Sequence, residues 1–198
     1  MSTALLRVGI VVFDDVEELD VVGPFDVLSS WAAHSALRPE VVTFSADGSG
    51  VRCAKGLRLV PDAARDEVGP LHVLVHPGGR GTRPLARDHA HLAWVRDVRR
   101  ETALMTSVCT GALVYAAAGL LAGRPATTHW AAVDELVQLD PSVLVDTEAR
   151  FVDDGDVVTS AGVSAGIDMA LHLVARLESP DAARAVRRAI QYDPAPPD

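Results

Sequence analysis

The chain has 198 residues, 48% of them hydrophobic, and a formal net charge of −9. This length suffices for one domain with a sizeable core, and the acidity disfavours both a nucleic-acid-binding surface and an anionic membrane as partners. No apolar run reaches the ~18 residues of a membrane span, and the N-terminus lacks a signal-peptide pattern. Two cysteines cannot form a disulfide framework. We therefore expect a cytoplasmic protein in which residues 1–198 form a single domain, with 192–198 as an extended tail.

Strand-like and helical segments alternate along the chain. Strands are predicted over residues 7–13, 40–44, 71–75, 102–108 and 126–128, and a hairpin turn at 153–156 joins two further strands within 143–160. Helices are predicted over 17–33, with an early interruption at Gly23-Pro24, and over 85–100, 111–121, 130–139, 164–177 and 181–191. Pro84 is assigned to the first turn of the 85–100 helix and Gly123 to the end of the 111–121 helix. The alternation predicts an α/β fold with a largely parallel sheet and helices on both faces.

Cys109 lies where the fourth main strand meets a helix, in the segment Ser107-Val108-Cys109-Thr110-Gly111. Small residues two positions before and after a nucleophile are typical of a nucleophile elbow. The N-terminus of the following helix would stabilise a thiolate, so we expect a depressed pKa at this cysteine. A small buried core cysteine is the alternative interpretation. Cys53 has no such context and is interpreted as structural.

Three neighbouring features could complete a site at the carboxyl ends of the strands. The Gly78-Gly79 turn and Thr110 could supply backbone N–H donors to developing negative charge. Asp20, flanked by apolar residues, is either a partly buried acid with a raised pKa or the N-cap of a helix that begins near Pro24. His129 follows a short strand and could lie near Cys109. His89 and His91 lack a third ligand and are interpreted as solvated, so no metal is expected.

Five blocks of sequence together resemble the ThiJ/PfpI superfamily, which is class I glutamine amidotransferase-like. The blocks are LDVVGPFDVL, HPGGRGTRPL, TSVCTGALVYAAAGLLAGRPATTHWA, VSAGIDMALHLVARL and YDPAPP. They are most similar to the isonitrile (isocyanide) hydratase branch of that superfamily. The resemblance implies a flavodoxin-like α/β sandwich, usually found as a homodimer. Departures include Val22, where a threonine often precedes Gly-Pro, and His76, where a hydrophobic residue is common.

The resemblance also implies roles for individual residues. Cys109 matches the nucleophile, Asp20 its acidic partner, and Gly79 with Thr110 the positions that cradle the substrate or oxyanion, next to Gly78. Thr110 is included among the catalytic residues on this basis. His129 matches a position where some relatives have a histidine, and it is a third candidate rather than the essential base.

These assignments imply a hydro-lyase that converts an isocyanide into an N-formamide through a thioimidate on Cys109, without a cofactor. The apolar residues around the elbow favour a small uncharged substrate. One alternative is another cysteine enzyme of the superfamily: a 2-oxoaldehyde hydratase (glyoxalase-like), an amidase or a protease. A second alternative is a non-enzymatic thiol redox sensor. AraC-type regulators carry a similar domain, but the chain ends without a helix-turn-helix region and is acidic, so no nucleic-acid partner is expected.

Overall fold

The structure, a computed structural model, describes residues 6–194. The strands are β1 (Arg7–Val11), β2 (Glu40–Ser45), β3 (Val51–Arg52), β4 (Arg58–Leu59), β5 (Ala63–Ala64), β6 (Val73–His76), β7 (Leu104–Val108), β8 (Pro125–Ala126), β9 (Leu144–Val145), β10 (Phe151–Asp153) and β11 (Val157–Ser160). The helices are α1 (Glu18–His34), α2 (Thr82–Leu85), α3 (His89–Glu101), α4 (Gly111–Ala117), α5 (Val133–Leu139), α6 (Ala165–Leu177) and α7 (Pro180–Ala189). A 3-10 turn, Trp130–Ala132, leads into α5.

Seven strands form one sheet in the order β10-β11-β7-β6-β1-β2-β5. Every pairing in it is parallel except that of the edge strand β10, which runs antiparallel to β11. The predicted hairpin therefore exists, and it closes one edge of the sheet. Because parallel strands end at the same edge, the segments after β1, β6 and β7 meet there.

Helices cover both faces of the sheet, as the alternation of strands and helices predicts. In β1, Val8 and Ile10 face a core shared with α1, α6 and α7, whereas Val11 faces a core shared with α3, α4 and α5. Because successive side chains of a strand point to opposite faces of the sheet, each buried strand contributes branched side chains to both cores. The fold is a flavodoxin-like α/β sandwich. Within residues 6–194, no helix is both long and apolar enough to cross a membrane.

The predicted interruption of the first helix is wrong, because α1 continues through Gly23 and Pro24. An internal proline removes one hydrogen bond of the helix. Packing against α6 offsets that loss: a Cβ at Gly23 would lie 3.0 Å from Ile167, and one at Gly166 would lie 3.3 Å from Pro24. The two glycines let α1 and α6 approach closely. Tertiary contact thus overrides a local helix-breaking signal.

Two other predicted helices have different ends. The 85–100 helix divides into α2, which contains Pro84, and α3, which begins at His89 because the Asp88 carboxylate accepts from two backbone N–H groups of its first turn. The predicted 111–121 helix ends earlier, at Ala117. Gly119, with φ of 80°, adopts the left-handed conformation that terminates the helix, a role that the sequence analysis assigned to Gly123.

The short strands β3, β4 and β5 are absent from the sequence-based prediction, because two residues carry no detectable alternation. The strand β9 lies within 143–160, where strands are predicted, but it pairs with β8 and not with the hairpin. The predicted strand over 126–128 overlaps β8 only at Ala126, because β8 ends there. Residues 192–194 of the predicted tail follow α7 without regular structure, and residues 195–198 lie outside the described part of the chain.

A pair of histidines is buried between β6 and α3. His76 is fully buried and His91 is 7% exposed, and their Nε2 atoms lie 3.0 Å apart. The Nδ1 of His76 lies 3.0 Å from the Pro77 carbonyl and donates to it, so its Nε2 accepts from His91. The interpretation of His91 as solvated is therefore wrong. Burial lowers the pKa of His76 to about 3 and that of His91 to about 4.

We predict that this pair makes the fold sensitive to acid. Both pKa values lie below the unfolded value of 6.5, so the stability that depends on neutral rings is complete above pH 6.5 and is lost as the pH falls towards 4. Between pH 7 and pH 4.5, the free energy of unfolding should therefore fall by about 2 kcal/mol less in His91→Leu than in wild type. Urea unfolding at a series of pH values measures this.

His89→Leu is the matched control, because His89 lies on the same helix but is exposed. That variant should follow the wild-type pH dependence. An equal slope in His91→Leu and wild type would show that the buried pair does not govern acid sensitivity.

Candidate functional site

Cys109 occupies the tight turn between β7 and α4, as the elbow motif predicts. Its φ of 56° is in the left-handed region, which non-glycine residues rarely adopt. The surrounding chain fixes this conformation. The N–H of Cys109 donates to the carbonyls of Ser160 (3.0 Å) and Ala161 (3.1 Å), and its own carbonyl accepts from the Thr128 hydroxyl at 2.8 Å. The strained turn is thus held from both sides.

The glycine of the elbow is required by close backbone contact. A Cβ at Gly111 would lie only 2.1 Å from the carbonyl oxygen of His76, at the end of the neighbouring strand. The residue two positions after the cysteine must therefore lack a side chain, in agreement with the motif. This contact places the elbow against the turn after β6.

Asp20 lies inside the first turn of α1 and is fully buried. The helix begins at Glu18, so the alternative interpretation of Asp20 as an N-cap is wrong. Its Oδ2 accepts from the N–H of Gly78 at 2.9 Å. Its Oδ1 is also buried and accepts no hydrogen bond from residues 6–194. The second oxygen is therefore available to a reacting group.

The carboxyl of Asp20 and the thiol of Cys109 lie close enough that each affects the ionisation of the other. Burial, opposed by the Gly78 hydrogen bond and assisted by the charge of Glu17, raises the pKa of Asp20 from 3.8 to about 7. Burial and the charge of Asp20 raise the pKa of the Cys109 thiol to about 12. The expected depressed pKa is therefore wrong. Only 6% of Cys109 is exposed, and the loss of solvation outweighs the helix N-terminus.

The Gly78-Gly79 turn lies beside the pair, but its N–H groups are already engaged. Gly78 donates to Asp20, and Gly79 donates to the Thr110 hydroxyl oxygen at 2.9 Å. The Thr82 hydroxyl lies 3.1 Å from the same oxygen. Gly79 and Thr110 thus lie together as expected, and the Thr110 side chain stabilises the turn. The N–H groups of Gly78 and Gly79 are therefore not free to bind an oxyanion.

Two backbone N–H groups interact with the sulfur instead, those of Thr110 and Val163, and both lower the pKa of the thiol. The donor at Thr110 agrees with the sequence analysis, whereas Val163 is absent from it. Val163 has φ of 51°, an outlier for a β-branched residue. Its residue type gives no signal of this backbone conformation, so sequence reasoning could not find it.

His129 lines the same cavity as Cys109 but is not among the main causes of the raised thiol pKa. Its Nδ1 accepts from the N–H of Ala131 at 3.2 Å, which caps the following 3-10 turn. Its ring also packs on Gly162, where a Cβ would lie 2.2 Å from it. The structure therefore assigns His129 a capping position at the wall of the cavity.

The cavity above Cys109 has a volume of about 310 Å³. Four charged side chains line it, in contrast to the apolar surroundings expected from the sequence: Glu17, Lys55, Arg80 and Arg83. Among residues 6–194, no three His, Cys, Asp or Glu side chains form a group suited to a metal ion.

We predict that Asp20→Asn stabilises the fold at alkaline pH. Since the folded-state pKa of about 7 exceeds the unfolded value of 3.8, the unfolded chain binds fewer protons between these pH values, and the stability of the wild type falls as the pH rises. At pH 8 the variant should be more stable by about 2–4 kcal/mol, and near pH 4 the difference should vanish. Denaturant titration at both pH values measures it.

Asp26→Asn is the control, because it removes the same charge from an exposed position of α1. It should change the stability little at either pH. If Asp20→Asn is less stable than wild type at pH 8, the ionised Asp20 carboxylate does not destabilise the fold, and the prediction is wrong.

The chain is similar to known proteins over most of its length. Residues 6–176 match the model of the DJ-1/PfpI family. The chain is 40% identical to isonitrile hydratase of Pseudomonas putida, over 97% of this chain and 81% of that protein. It is 37% identical to the HTH-type transcriptional regulator CdhR of Pseudomonas aeruginosa, over 70% of this chain but only 41% of the regulator.

A solved structure, that of a ThiJ/PfpI family protein from Pseudomonas syringae, superimposes with a TM-score of 0.88 at 34% identity, covering 98% of this chain and 78% of the other. Both the family model and the relative from Pseudomonas putida extend over most of the chain. The chain therefore belongs to the DJ-1/PfpI family.

Proposed function

We propose that this protein is an isonitrile hydratase that adds water to R–N≡C and releases the N-formamide R–NH–CHO. The observation that carries the proposal is the proximity of two buried groups, the thiol of Cys109 and the carboxyl of Asp20, each of which shifts the pKa of the other. Similarity to isonitrile hydratase over nearly the whole chain supports the same activity.

The chemistry of an isonitrile explains why two such groups should face each other. Its terminal carbon accepts both the nucleophile and a proton, so the new S–C and C–H bonds form at one atom. A nucleophile and an acid–base group must therefore reach the same point. Asp20 and Cys109 are close enough to shift each other's pKa. Within residues 6–194 the Oδ1 of Asp20 accepts no hydrogen bond, so this oxygen can take the thiol proton.

In the first half-reaction, the Asp20 carboxylate accepts the thiol proton while the sulfur attacks the isonitrile carbon. Asp20 then delivers that proton to the same carbon. The product is the thioimidate R–N=CH–S–Cys109, and Asp20 is again a carboxylate. The backbone N–H groups of Thr110 and Val163 stabilise negative charge on the sulfur as the S–H bond breaks.

In the second half-reaction, Asp20 takes a proton from water, whose oxygen attacks the thioimidate carbon. Asp20 passes this proton to the nitrogen of the intermediate as the tetrahedral adduct R–NH–CH(OH)–S–Cys109 forms. The C–S bond then breaks while Asp20 transfers the hydroxyl proton of the adduct to the sulfur, so that the thiol and the Asp20 carboxylate are restored and the formamide leaves. One water is consumed in total, and no electron acceptor or donor is required.

The alternatives fit the geometry less well. Amide hydrolysis needs N–H donors for a carbonyl oxygen, whereas the N–H groups of Gly78 and Gly79 are engaged within the site. A Cys–His dyad is disfavoured because Nδ1 of His129 caps a turn. A redox sensor needs an accessible thiol of low pKa, and Cys109 is buried with a pKa of about 12.

We predict that purified protein converts cyclohexyl isocyanide into N-cyclohexylformamide, measured by chromatography. Asp20→Asn should lower kcat/KM by about 10²–10⁴-fold, as expected for a general acid–base, and Cys109→Ala should abolish turnover. Because Asp20 must be ionised to accept the thiol proton, kcat/KM should rise with pH and level off above about 7.

Asp26→Asn and Cys53→Ala serve as controls, since Asp26 is exposed and Cys53 is buried in the core away from the cavity lining. Methylglyoxal is the comparison substrate for the 2-oxoaldehyde alternative. Turnover of methylglyoxal without turnover of any isocyanide would refute the hydratase assignment. Full activity in Asp20→Asn would refute the mechanism.

A further inference from the structure

The mouth of the cavity carries more positive than negative side chains, although the chain as a whole is acidic. Three cations, Lys55, Arg80 and Arg83, and one anion, Glu17, line it. This local excess stands against a net charge of −9 for the whole protein. A substrate entering the cavity therefore passes more cationic than anionic side chains.

Two of the three cations have partners within the fold. The ammonium of Lys55 forms an ion pair with Glu17. The guanidinium of Arg83 donates to Glu135 at 2.8 Å and to the Gly79 carbonyl at 3.2 Å. The charges of these two side chains are therefore compensated within the fold before any ligand arrives.

Arg80 differs from both. It is exposed, it lines the cavity that contains Cys109, and within residues 6–194 its side chain has neither an ion pair nor a hydrogen bond. The backbone beneath it is fixed, because a Cβ at the preceding Gly79 would lie 2.3 Å from the carbonyl oxygen of Asp15. A rigid turn therefore presents a free guanidinium at the mouth of the cavity.

We propose that Arg80 selects isonitriles that carry a carboxylate, and that it holds this group at the mouth while the isonitrile carbon reaches Cys109. This inference rests on the proposed hydratase function, and it names the substrate class. A guanidinium binds a carboxylate through two parallel N–H donors. The buried charge of Asp20 repels an anion at the base of the cavity, so the carboxylate and the reacting carbon must lie at opposite ends of the substrate.

The test compares 3-isocyanopropanoate with 3-isocyanopropanamide, which has nearly the same shape but no charge. Wild type should show a lower KM for the acid. Arg80→Gln should raise the KM for the acid relative to the amide by about fivefold to tenfold, as expected for one charge pair partly exposed to water. High salt should reduce the preference of the wild type for the acid.

Arg87→Gln is the matched control, because Arg87 is exposed on the same segment but does not line the cavity. It should keep the wild-type ratio of acid to amide. Equal KM values for the two substrates in wild type would overturn the inference and leave the hydratase function intact, and so would the same ratio in Arg80→Gln as in wild type.

A second measurement does not depend on turnover. Iodoacetate and iodoacetamide both alkylate thiols, but only the first is an anion, and mass spectrometry of the Cys109 peptide gives the rate for each. The ratio of the iodoacetate rate to the iodoacetamide rate should fall about fivefold in Arg80→Gln and remain unchanged in Arg87→Gln. If no isocyanide is hydrated, the proposed function fails, and this ratio alone decides whether Arg80 attracts anions; an unchanged ratio overturns the inference.

Discussion

The site depends on holding one carboxyl group beside one thiol out of contact with water. Asp20 is fully buried and Cys109 is 6% exposed, so neither group is solvated in its charged form. One hydrogen bond from Gly78 compensates Asp20 only in part, and its pKa remains near 7. The pair therefore carries one negative charge and one proton that can move between oxygen and sulfur. A proton held this way suits a reaction that needs a base and then an acid at the same place.

Close backbone packing makes this burial possible. Three chain segments that follow three parallel strands meet where a side chain would not fit. A Cβ at Gly78 would lie 2.5 Å from the N atom of Thr110 and 2.8 Å from Asp20, and one at Gly111 would overlap the His76 carbonyl. The same contacts that exclude water also fix the turn at Cys109 in its strained conformation. The surrounding sheet and helices supply the free energy that this strain requires.

The sequence predicts the parts of this arrangement that depend on local pattern. Alternating strands and helices predict the sandwich, and the small residues around Cys109 predict the elbow. The apolar neighbours of Asp20 leave burial and capping as equal possibilities, and only the structure, in which α1 begins at Glu18, decides between them. The proline in α1 misleads because packing against Gly166 outweighs one lost hydrogen bond.

Other properties arise from contacts between residues that are distant in sequence. The pKa of Cys109 follows from burial and from a carboxylate 89 positions away, and not from the adjacent helix N-terminus alone. His91 is buried and contacts a histidine of β6, 15 positions away in sequence. The donor at Val163 requires a left-handed conformation that no residue-type rule assigns to valine. Local motifs therefore identify the reactive group, whereas long-range packing determines its protonation state.

The net charge of the protein and the charges that line the cavity act on a substrate at different distances. A net charge of −9 describes how the whole protein interacts at long range, and salt screens that field beyond about 8 Å under physiological conditions. A substrate inside a cavity of about 310 Å³ lies closer than this to every side chain that lines it. Its binding therefore depends on whichever of those charges has no partner in the fold. Ion pairs with Glu17 and Glu135 compensate two of the cations, so substrate charge is discriminated by the one that remains, Arg80.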